Sequence, residues 1–563
     1  MYGKDARPED TIKKVTRILK RAGMAIEEVS WKHPVPHVWS VHVREVHCHS
    51  MCVNGKGTTK ALALASALGE FMERLITGYF FSDFALTGIS AQKKFLFSPD
   101  EKWFTPKKTT LPKGLLTPTL RALYDPTGEL EPQELVDRMS VGCVKNAISS
   151  LPFQRARDKK TIYFPINVLD NIYASNGMAA GNTKEEACVQ ALSEILERYV
   201  KTTIIRKGIA LPAIPRDLYS SLKHIVEALE ALEGAGFSVL VKDASLGGRY
   251  PVVNVTIIEK ETKNCFLAFG AHPSFEIALT RTVTELLQGQ KVGAFRGLKK
   301  PNKNKKEVRD PSNLVSHFID SSGIVSEDFF KKKSAYPFSP FDCVGTRKEE
   351  ERFLLSIFIK AKKDVYVNAV SIDGFYVCRI VVPGWSEVYH AEDLVHENNN
   401  RARCLVNSVL SLSIGTPAKL KETLSLIDSG IVGECEIVTD VLGIALDKES
   451  PWHRLCFGEL KLFILLALRN KSLAERQLSW CFDVGCMRKE MNDIYECLAS
   501  FLEGTNAEGF TKSVLSRAHK LFAGEDVFYN LFSRNDVMLG TQAHKKILSA
   551  FSRSRMLLLG RTE

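Results

Sequence analysis

No segment of this sequence reads as a membrane span or a secretory leader. In the C-terminal third the longest run of large apolar residues and alanine, Leu462 to Leu468, is seven residues, far short of the ~20 that cross a bilayer. The first ten residues already hold Lys4, Asp5, Arg7, Glu9 and Asp10, with no apolar stretch behind them, which is unlike a cleavable leader. Both absences predict a cytoplasmic protein without a membrane partner. A disulfide framework is not expected either. Thirteen cysteines, an odd number scattered from Cys48 to Cys497, fit reduced thiols better than paired ones. Glycine and proline contribute only 36 and 22 of 563 residues, which excludes wholesale disorder.

What is present is ordinary globular composition, 45% hydrophobic and 25% charged. At about 150 residues per domain the length predicts roughly three to four domain-sized units. The net charge of +11 could suggest a nucleic-acid partner, but its distribution argues otherwise. Between Gln290 and Asp310 stand Lys291, Arg296, Lys299, Lys300, Lys303, Lys305, Lys306 and Arg309 against Glu307 and Asp310. That one segment holds most of the excess. Lysine blocks without interleaved aromatics are usually solvated, so a solvated loop is expected here and at Lys331 to Lys333, with no direct nucleic-acid contact.

Two periodicities mix in the first two thirds. Trp39 to Val43, Tyr250 to Ile258, Cys265 to Phe269 and Phe375 to Val382 read as strands between helical patterns, which predicts an α/β or α+β domain over residues 1–389. Beyond about His390 the strand signal fades. Amphipathic stretches follow at Glu397 to Leu412, His453 to Leu468, Leu473 to Phe482, Met487 to Phe501, Lys512 to Phe522 and Gln542 to Leu558. Residues 390–563 are therefore expected to form an all-helical domain of stacked hairpins resembling tetratricopeptide repeats.

An internal repeat carries the chemistry. Gly57 to Arg74 and Gly181 to Arg198 share nine of eighteen positions, among them Glu70/Glu194, Glu73/Glu197 and Arg74/Arg198. Phe71/Ile195 and Met72/Leu196 differ while the two glutamates and the arginine are kept, the reverse of what a repeat conserved only for packing would show. At 100° per residue, Ser66, Glu70, Glu73 and Arg74 fall within roughly 100° of one another on a helix, opposite Leu68, Phe71, Met72 and Leu75. The second copy places Glu186, Gln190, Glu194, Glu197 and Arg198 largely on one face. Thr183 with Glu186 reads as a capping box, so this helix should start at Asn182 or Thr183. The small-residue loop Ser175 to Asn182 leads into that N-terminus, where free N–H groups favour an anion. A third helix, Ser274 to Gln288, spaces Arg281 and Glu285 one turn apart. For one such helix a solvated face with i,i+4 pairs is the better reading; three of them, two duplicated, favour a joint site. Clustered carboxylates suit Mg²⁺ and the arginines suit phosphates, which implies Mg²⁺-nucleotide binding without a Walker loop.

The segments Ser66-Ala-Leu-Gly-Glu70-Phe-Met-Glu73-Arg74, Gln190-Ala-Leu-Ser-Glu194-Ile-Leu-Glu197-Arg198 and Arg281-Thr-Val-Thr-Glu285 resemble the ATP-binding motifs of the YcaO superfamily. Gly55-Lys-Gly-Thr, Tyr173 to Met178, Ala244 to Gly248 and Gly270 to Pro273 resemble its stand-alone bacterial members. The resemblance implies a YcaO domain that binds ATP and Mg²⁺, with a helical C-terminal domain behind it. It assigns the metal ions to Glu70, Glu73, Glu194, Glu197 and Glu285. It assigns the nucleotide to Lys4, Thr11, Ser66, Arg74, Ala179, Asn182, Glu186, Gln190, Arg198 and Arg281. Thr11 stands where serine is frequent in the family, and Ala179 loses a hydroxyl found elsewhere.

Members of this family phosphorylate a backbone amide oxygen, and a neighbouring side chain or external sulfide then adds to the activated amide. Azoline-forming members end in a proline-rich tail, whereas this sequence ends Leu557 to Glu563 without proline; the expectation shifts from cyclodehydratase to accessory factor. The stand-alone members imply a role in β-methylthiolation of a small-subunit ribosomal protein by the radical enzyme RimO, and a homodimer. A nucleotide-binding adaptor is the competing reading. His47, Cys48, His49 and Cys52 lack a second ligand pair at finger spacing, so zinc is the less favoured reading there. Cys481 and Cys486 read as core thiols.

Overall fold

The computed structural model describes residues 3–86, 97–107, 110–136, 147–396, 398, 403–410, 412, 416–447, 450, 452–485, 491–524 and 541–560. Three antiparallel sheets form the first part. The first orders β1 (Ile26–Val35), β2 (Val38–Glu45) and β3 (Cys52–Gly57). The largest runs β4 (Lys102–Phe104), β5 (Ile148–Arg155), β11 (Tyr366–Ile372), β12 (Phe375–Val381) and β7 (Met178–Gly181), with β6 (Thr161–Pro165) beside β5. The third orders β10 (Cys265–Ala271), β9 (Val252–Glu259) and β8 (Phe237–Asp243). Every pairing within these sheets is antiparallel. The mixed domain is thus built as α+β, and its connections need no parallel crossover.

Each sheet ends on a strand that runs into one of the three charged helices. β3 leads into α2 (Lys60–Ile76), β7 into α5 (Lys184–Lys207) and β10 into α7 (Phe275–Leu286); α1 (Pro8–Arg21), α3 (Pro118–Tyr124), α4 (Ile166–Val168) and α6 (Lys223–Gly234) fill the intervals. All three junctions depend on glycine. A Cβ on Gly55 would stand 2.1 Å from the Ala63 carbonyl oxygen, one on Gly181 2.8 Å from the Ala187 nitrogen, and one on Gly270 2.6 Å from the Ala278 carbonyl oxygen. Only a missing side chain lets each helix lie that close to its strand. The repeat seen in the sequence is one strand–glycine–helix unit used three times.

Burial follows the expected stripe. On α2 the buried residues are Ala63, Ala67, Leu68, Phe71, Met72, Leu75 and Ile76. They join Val15, Ile18 and Leu19 of α1 and Phe81 and Phe153 in the main core. The helical part encloses a second core around Trp452, Phe457, Leu460, Phe463, Tyr495 and Leu498. There helix Phe457–Ala467 packs on Lys471–Val484, that on Asn492–Glu503, and that on Lys512–Phe522. The expected starts at Glu397 and Met487, and Cys486, lie outside the described residues.

The last described helix, Gln542–Leu558, packs back against the first part of the chain. Its buried face, Ala543, Ile547, Leu548, Ala550 and Phe551, belongs to the main core. Phe551 packs on Phe81 at 4.3 Å between ring centroids. Arg555 donates to the carbonyls of Leu75 and Ile76 at 2.6 and 2.8 Å, and Arg553 donates to Ala22 at 3.2 Å. The chain therefore returns from the helical part to brace the ends of α2 and α1. Among the described residues no helix is long and apolar enough to cross a membrane, and ten cysteines, from Cys48 to Cys497, are free thiols.

Candidate functional site

The polar faces of α2, α5 and α7 line one cleft of about 1180 Å³. Helix α2 starts at Thr59, whose hydroxyl accepts from the Leu62 amide at 3.2 Å. With its apolar side buried, Ser66, Glu70, Glu73 and Arg74 are left to the cleft. Helix α5 starts at Thr183, whose hydroxyl accepts from the Glu186 amide at 3.1 Å. The second half of the expected capping box is diverted. The Glu186 carboxylate accepts from the Asn182 and Asp5 amides at 3.1 and 3.3 Å and pairs with Lys4 at 3.2 Å.

Fourteen of the fifteen residues singled out from the sequence line this cleft: Lys4, Thr11, Ser66, Glu70, Glu73, Arg74, Asn182, Glu186, Gln190, Glu194, Glu197, Arg198, Arg281 and Glu285. Ala179 does not. It is fully buried beside Cys188 and Cys378, and strand alternation turns its neighbour Ala180 to the cleft instead.

Two ends can be distinguished. At the N-terminus of α5, Thr11 donates to the Asn182 side-chain oxygen at 3.2 Å, and Lys4, Asn182 and Glu186 form a polar cradle of neutral amides and one ion pair. One to two turns further along α5, Gln190 accepts from Arg281, and Glu194 pairs with Arg198 at 3.1 Å. Across from it Glu70 pairs with Arg74 at 2.9 Å. Arg198 also stacks over Phe318, 4.0 Å from the ring centroid. Glu285 pairs with Lys56. Burial pushes the Glu73 carboxyl well above its ordinary value, with Arg74 opposing and Glu194 and Glu70 adding. Burial raises Glu197 as well, against Arg198 and Lys56.

In this cluster Arg74, Arg198 and Lys56 are each paired with a carboxylate, while Arg281 is bonded to the Gln190 side chain and the Ala271 carbonyl. Among the described residues no three His, Cys, Asp or Glu groups converge as a closed metal cage. The carboxylates are instead strung along three helices, one or two per place. That donor set fits Mg²⁺, which takes one or two carboxylates and completes its shell with phosphate oxygens and water. Arg74, Arg198 and Arg281 suit those phosphates. No residues of the His47 to Cys52 segment form a metal group; the Cys48 thiol is buried beside the Ser50 hydroxyl at 3.2 Å.

Several lining residues were not singled out from the sequence. Lys56 sits among the glutamates; burial pulls its pKa down, and Glu197, Glu70 and Glu194 push it up. Lys201 donates to the His317 carbonyl at 2.6 Å and the Ser321 hydroxyl at 2.8 Å, so it ties down the segment His317 to Ser322. Lys201 lies four residues after Glu197 on the same face of α5, a signal that extending the charged face by one turn would have found. Tyr79 and Asp83 close the opposite wall, and Arg296 reaches the cleft mouth from the basic loop. Nothing local in the sequence marks Tyr79 or Asp83, and Arg296 belongs to the basic stretch expected to be a solvated loop.

Two family models match the chain: YcaO cyclodehydratase, ATP- and Mg²⁺-binding, over residues 54–386, and the YcaO cyclodehydratase C-terminal domain over residues 402–556. The chain is 41% identical over 570 residues to the ribosomal protein S12 methylthiotransferase accessory factor YcaO of Escherichia coli (strain K12), covering 98% of this chain and 97% of that protein. It is 39% identical over 572 residues to an uncharacterized protein of Haemophilus influenzae, covering 98% and 97%. Among solved structures, YcaO from Methanopyrus kandleri bound with AMPPCP and Mg²⁺ aligns with a TM-score of 0.40 at 18% identity, over 68% of this chain and 92% of that one.

Proposed function

The chain belongs to the YcaO family, and on that premise we propose that it uses Mg²⁺-ATP, bound in the cleft, to activate a peptide backbone amide by phosphorylation. We further propose that it does so as an accessory factor in RimO-dependent β-methylthiolation of a small-subunit ribosomal protein. The observation that carries this reading is the convergence of Glu70, Glu73, Glu194, Glu197 and Glu285 with Arg74, Arg198 and Arg281 in one cleft. No single one of the three sheets could supply that set.

An amide oxygen is a poor leaving group. In the proposed step it attacks the terminal phosphorus of ATP, the bond from that phosphorus to the bridging oxygen breaks, and ADP departs. A nucleophile then adds to the amide carbon, and the former amide oxygen leaves with phosphate. Mg²⁺ supplies charge neutralisation on the phosphates. The residues of this chain bind and orient. Lys4, Thr11, Asn182, Glu186 and Gln190 hold the nucleoside end, the arginines hold phosphate, and the glutamates hold the metal. The segment His317 to Ser322, pinned by Lys201 and bearing Phe318 over Arg198, lies beyond the phosphate end and is the proposed wall for the acceptor peptide.

Phosphoryl transfer depends on positioning its acceptor, so ADP release should be slow for the protein alone and rise when the correct partner is added. An ADP-release assay with and without candidate partner proteins tests this. A turnover that no partner changes, together with loss of one water per residue from short Cys-containing peptides, would favour an azoline-forming cyclodehydratase instead. Lack of any turnover with Mg²⁺-ATP bound and partner present would favour an adaptor. The consecutive packing of the C-terminal helices supports a tetratricopeptide-like docking scaffold, and we propose a homodimer, which light scattering at micromolar concentration checks.

A further inference from the structure

The segment that carries Lys4 precedes α1 and belongs to no strand or helix. It runs along the N-terminus of α5, and Gly3, Lys4 and Ala6 line the cleft. What fixes it is Asp5. The Thr183 hydroxyl donates to the Asp5 carboxylate, the Asp5 amide donates to Glu186, and Arg347 donates from Nε to the other carboxylate oxygen at 3.1 Å. Arg347 belongs to α10 (Arg347–Lys360) and is not part of the cleft lining. Its guanidinium also pairs with Glu350, a carboxylate only 3% exposed.

The location of Arg347 is unfavourable for its own helix. It is the first residue of α10, where the macrodipole disfavours a cation. It also stands close enough to Arg281 to depress the pKa of that residue, after burial the leading opposing charge. A residue tolerated against both effects gains its favourable contacts elsewhere, and those contacts are Glu350 and Asp5. Glu350 alone would need only a local i,i+3 partner. The second bond reaches 342 residues back along the sequence, to the residue next to Lys4.

We propose that Arg347 is a positioning residue for nucleotide binding: by clamping Asp5 it holds the N-terminal segment down, so that Lys4 stands ready at the nucleotide end of the cleft. This rests on the proposed function only in that Lys4 is taken to contact nucleotide. Without the clamp the segment must be ordered by the ligand at the moment of binding, and affinity falls by the cost of that ordering.

The test is a double-mutant cycle read by calorimetric titration of the full chain with Mg²⁺ and a non-hydrolysable ATP analogue, with melting followed in parallel. Arg347→Ala is expected to weaken binding about five- to tenfold, and Arg347→Lys to recover part of it. Asp5→Asn, which leaves the Arg347–Glu350 pair in place, is expected to give a comparable loss and so answers the case in which Arg347→Ala fails to fold. In a Lys4→Ala background, Arg347→Ala and Asp5→Asn should each change affinity by less than about twofold. Full additivity in that background would overturn the clamp while leaving nucleotide binding intact. Unchanged affinity in Lys4→Ala itself would overturn the role of Lys4 and the clamp with it.

Discussion

Arg555 offers the sharpest test of how the C-terminal helix supports the cleft. Its side chain is 2% exposed, donates to the last two carbonyls of α2 at 2.6 and 2.8 Å, and lies 4.3 Å over the Phe81 ring centroid. Carbonyls at a helix C-terminus have no partner within the helix, and a cation there also meets the favourable end of the dipole. Two charge-assisted bonds are worth about 1.5–3 kcal/mol each when lost. Against them stands the cost of a buried guanidinium: burial pulls its pKa down, and its Nε has no partner among the described residues. At mid-range the two bonds total about 4–5 kcal/mol and the cost is about 2, so Arg555→Ala should raise the free energy of the last turn of α2 by about 2–3 kcal/mol. Hydrogen exchange on a peptide spanning Glu73 to Phe81 reads that turn directly. Exchange there should accelerate on the order of 30- to 150-fold, with Arg555→Lys in between, and Mg²⁺-ATP affinity should fall because Glu70, Glu73 and Arg74 ride on the same helix. A folded Arg555→Ala protein whose α2 exchanges within about threefold of the parent would refute the reasoning.

Glu70→Gln and Glu194→Gln should each weaken Mg²⁺-ATP binding at least about tenfold by calorimetry, since each removes charge from the shared cluster; wild-type affinity in either would break the joint-site reading. Gly270→Ala sets a Cβ 2.3 Å from the Thr282 hydroxyl and 2.6 Å from the Ala278 carbonyl, and should cost about 1–3 kcal/mol in denaturant unfolding, as overpacking does. Burial pulls the pKa of His272, His317 and His544 down to about 2, about 3 and about 4. Below about pH 6.5 the unfolded chain gains protons these three histidines refuse when folded, so their contribution to stability is full above that pH and is lost as pH falls, by up to about 4 kcal/mol per unit near pH 5, while the raised carboxyls of Glu73, Glu197 and Asp83 act in the opposite sense. In urea titrations across that range His544→Gln should lower the slope by about 1.4 kcal/mol per pH unit, and an unchanged slope would count against it.

The parts legible in the sequence are those encoded within one helix. Glu70, Glu73 and Arg74, and their copies Glu194, Glu197 and Arg198, announce a shared face because helical periodicity and a duplicated charge pattern are local properties. The helix Gln542–Leu558 is read to the residue for the same reason, and the start of α5 to within the pair Asn182 and Thr183. What was not legible depends on contacts between distant segments. The capping-box reading of Glu186 is overridden because Lys4 and the Asp5 amide arrive from 181 residues away or more. Ala179 was assigned to the cleft from motif position, and the pleat of β7 gives that place to Ala180. Arg347 and Arg555 sit in stretches with no motif, and only the fold gives them partners.

The placement of the last helix changes what the helical part of the chain can do. A helical domain joined at one end could move as a unit without disturbing the sheets. Here the chain enters that domain after β12 and leaves it through a helix that packs on Phe81 and anchors Arg555 on α2 and Arg553 on the end of α1. Those two helices carry Glu70, Glu73, Arg74 and Thr11 into the lining of the cleft. His544 adds a second tie, accepting from the Ala445 amide at 3.2 Å and contacting the Ala85 carbonyl at 3.0 Å. Ala85 follows the segment bearing Tyr79 and Asp83. A displacement of the helical part therefore has to be taken up at the C-terminal, cleft-lining end of α2 or at Asp83, through bonds whose removal can be tested one at a time.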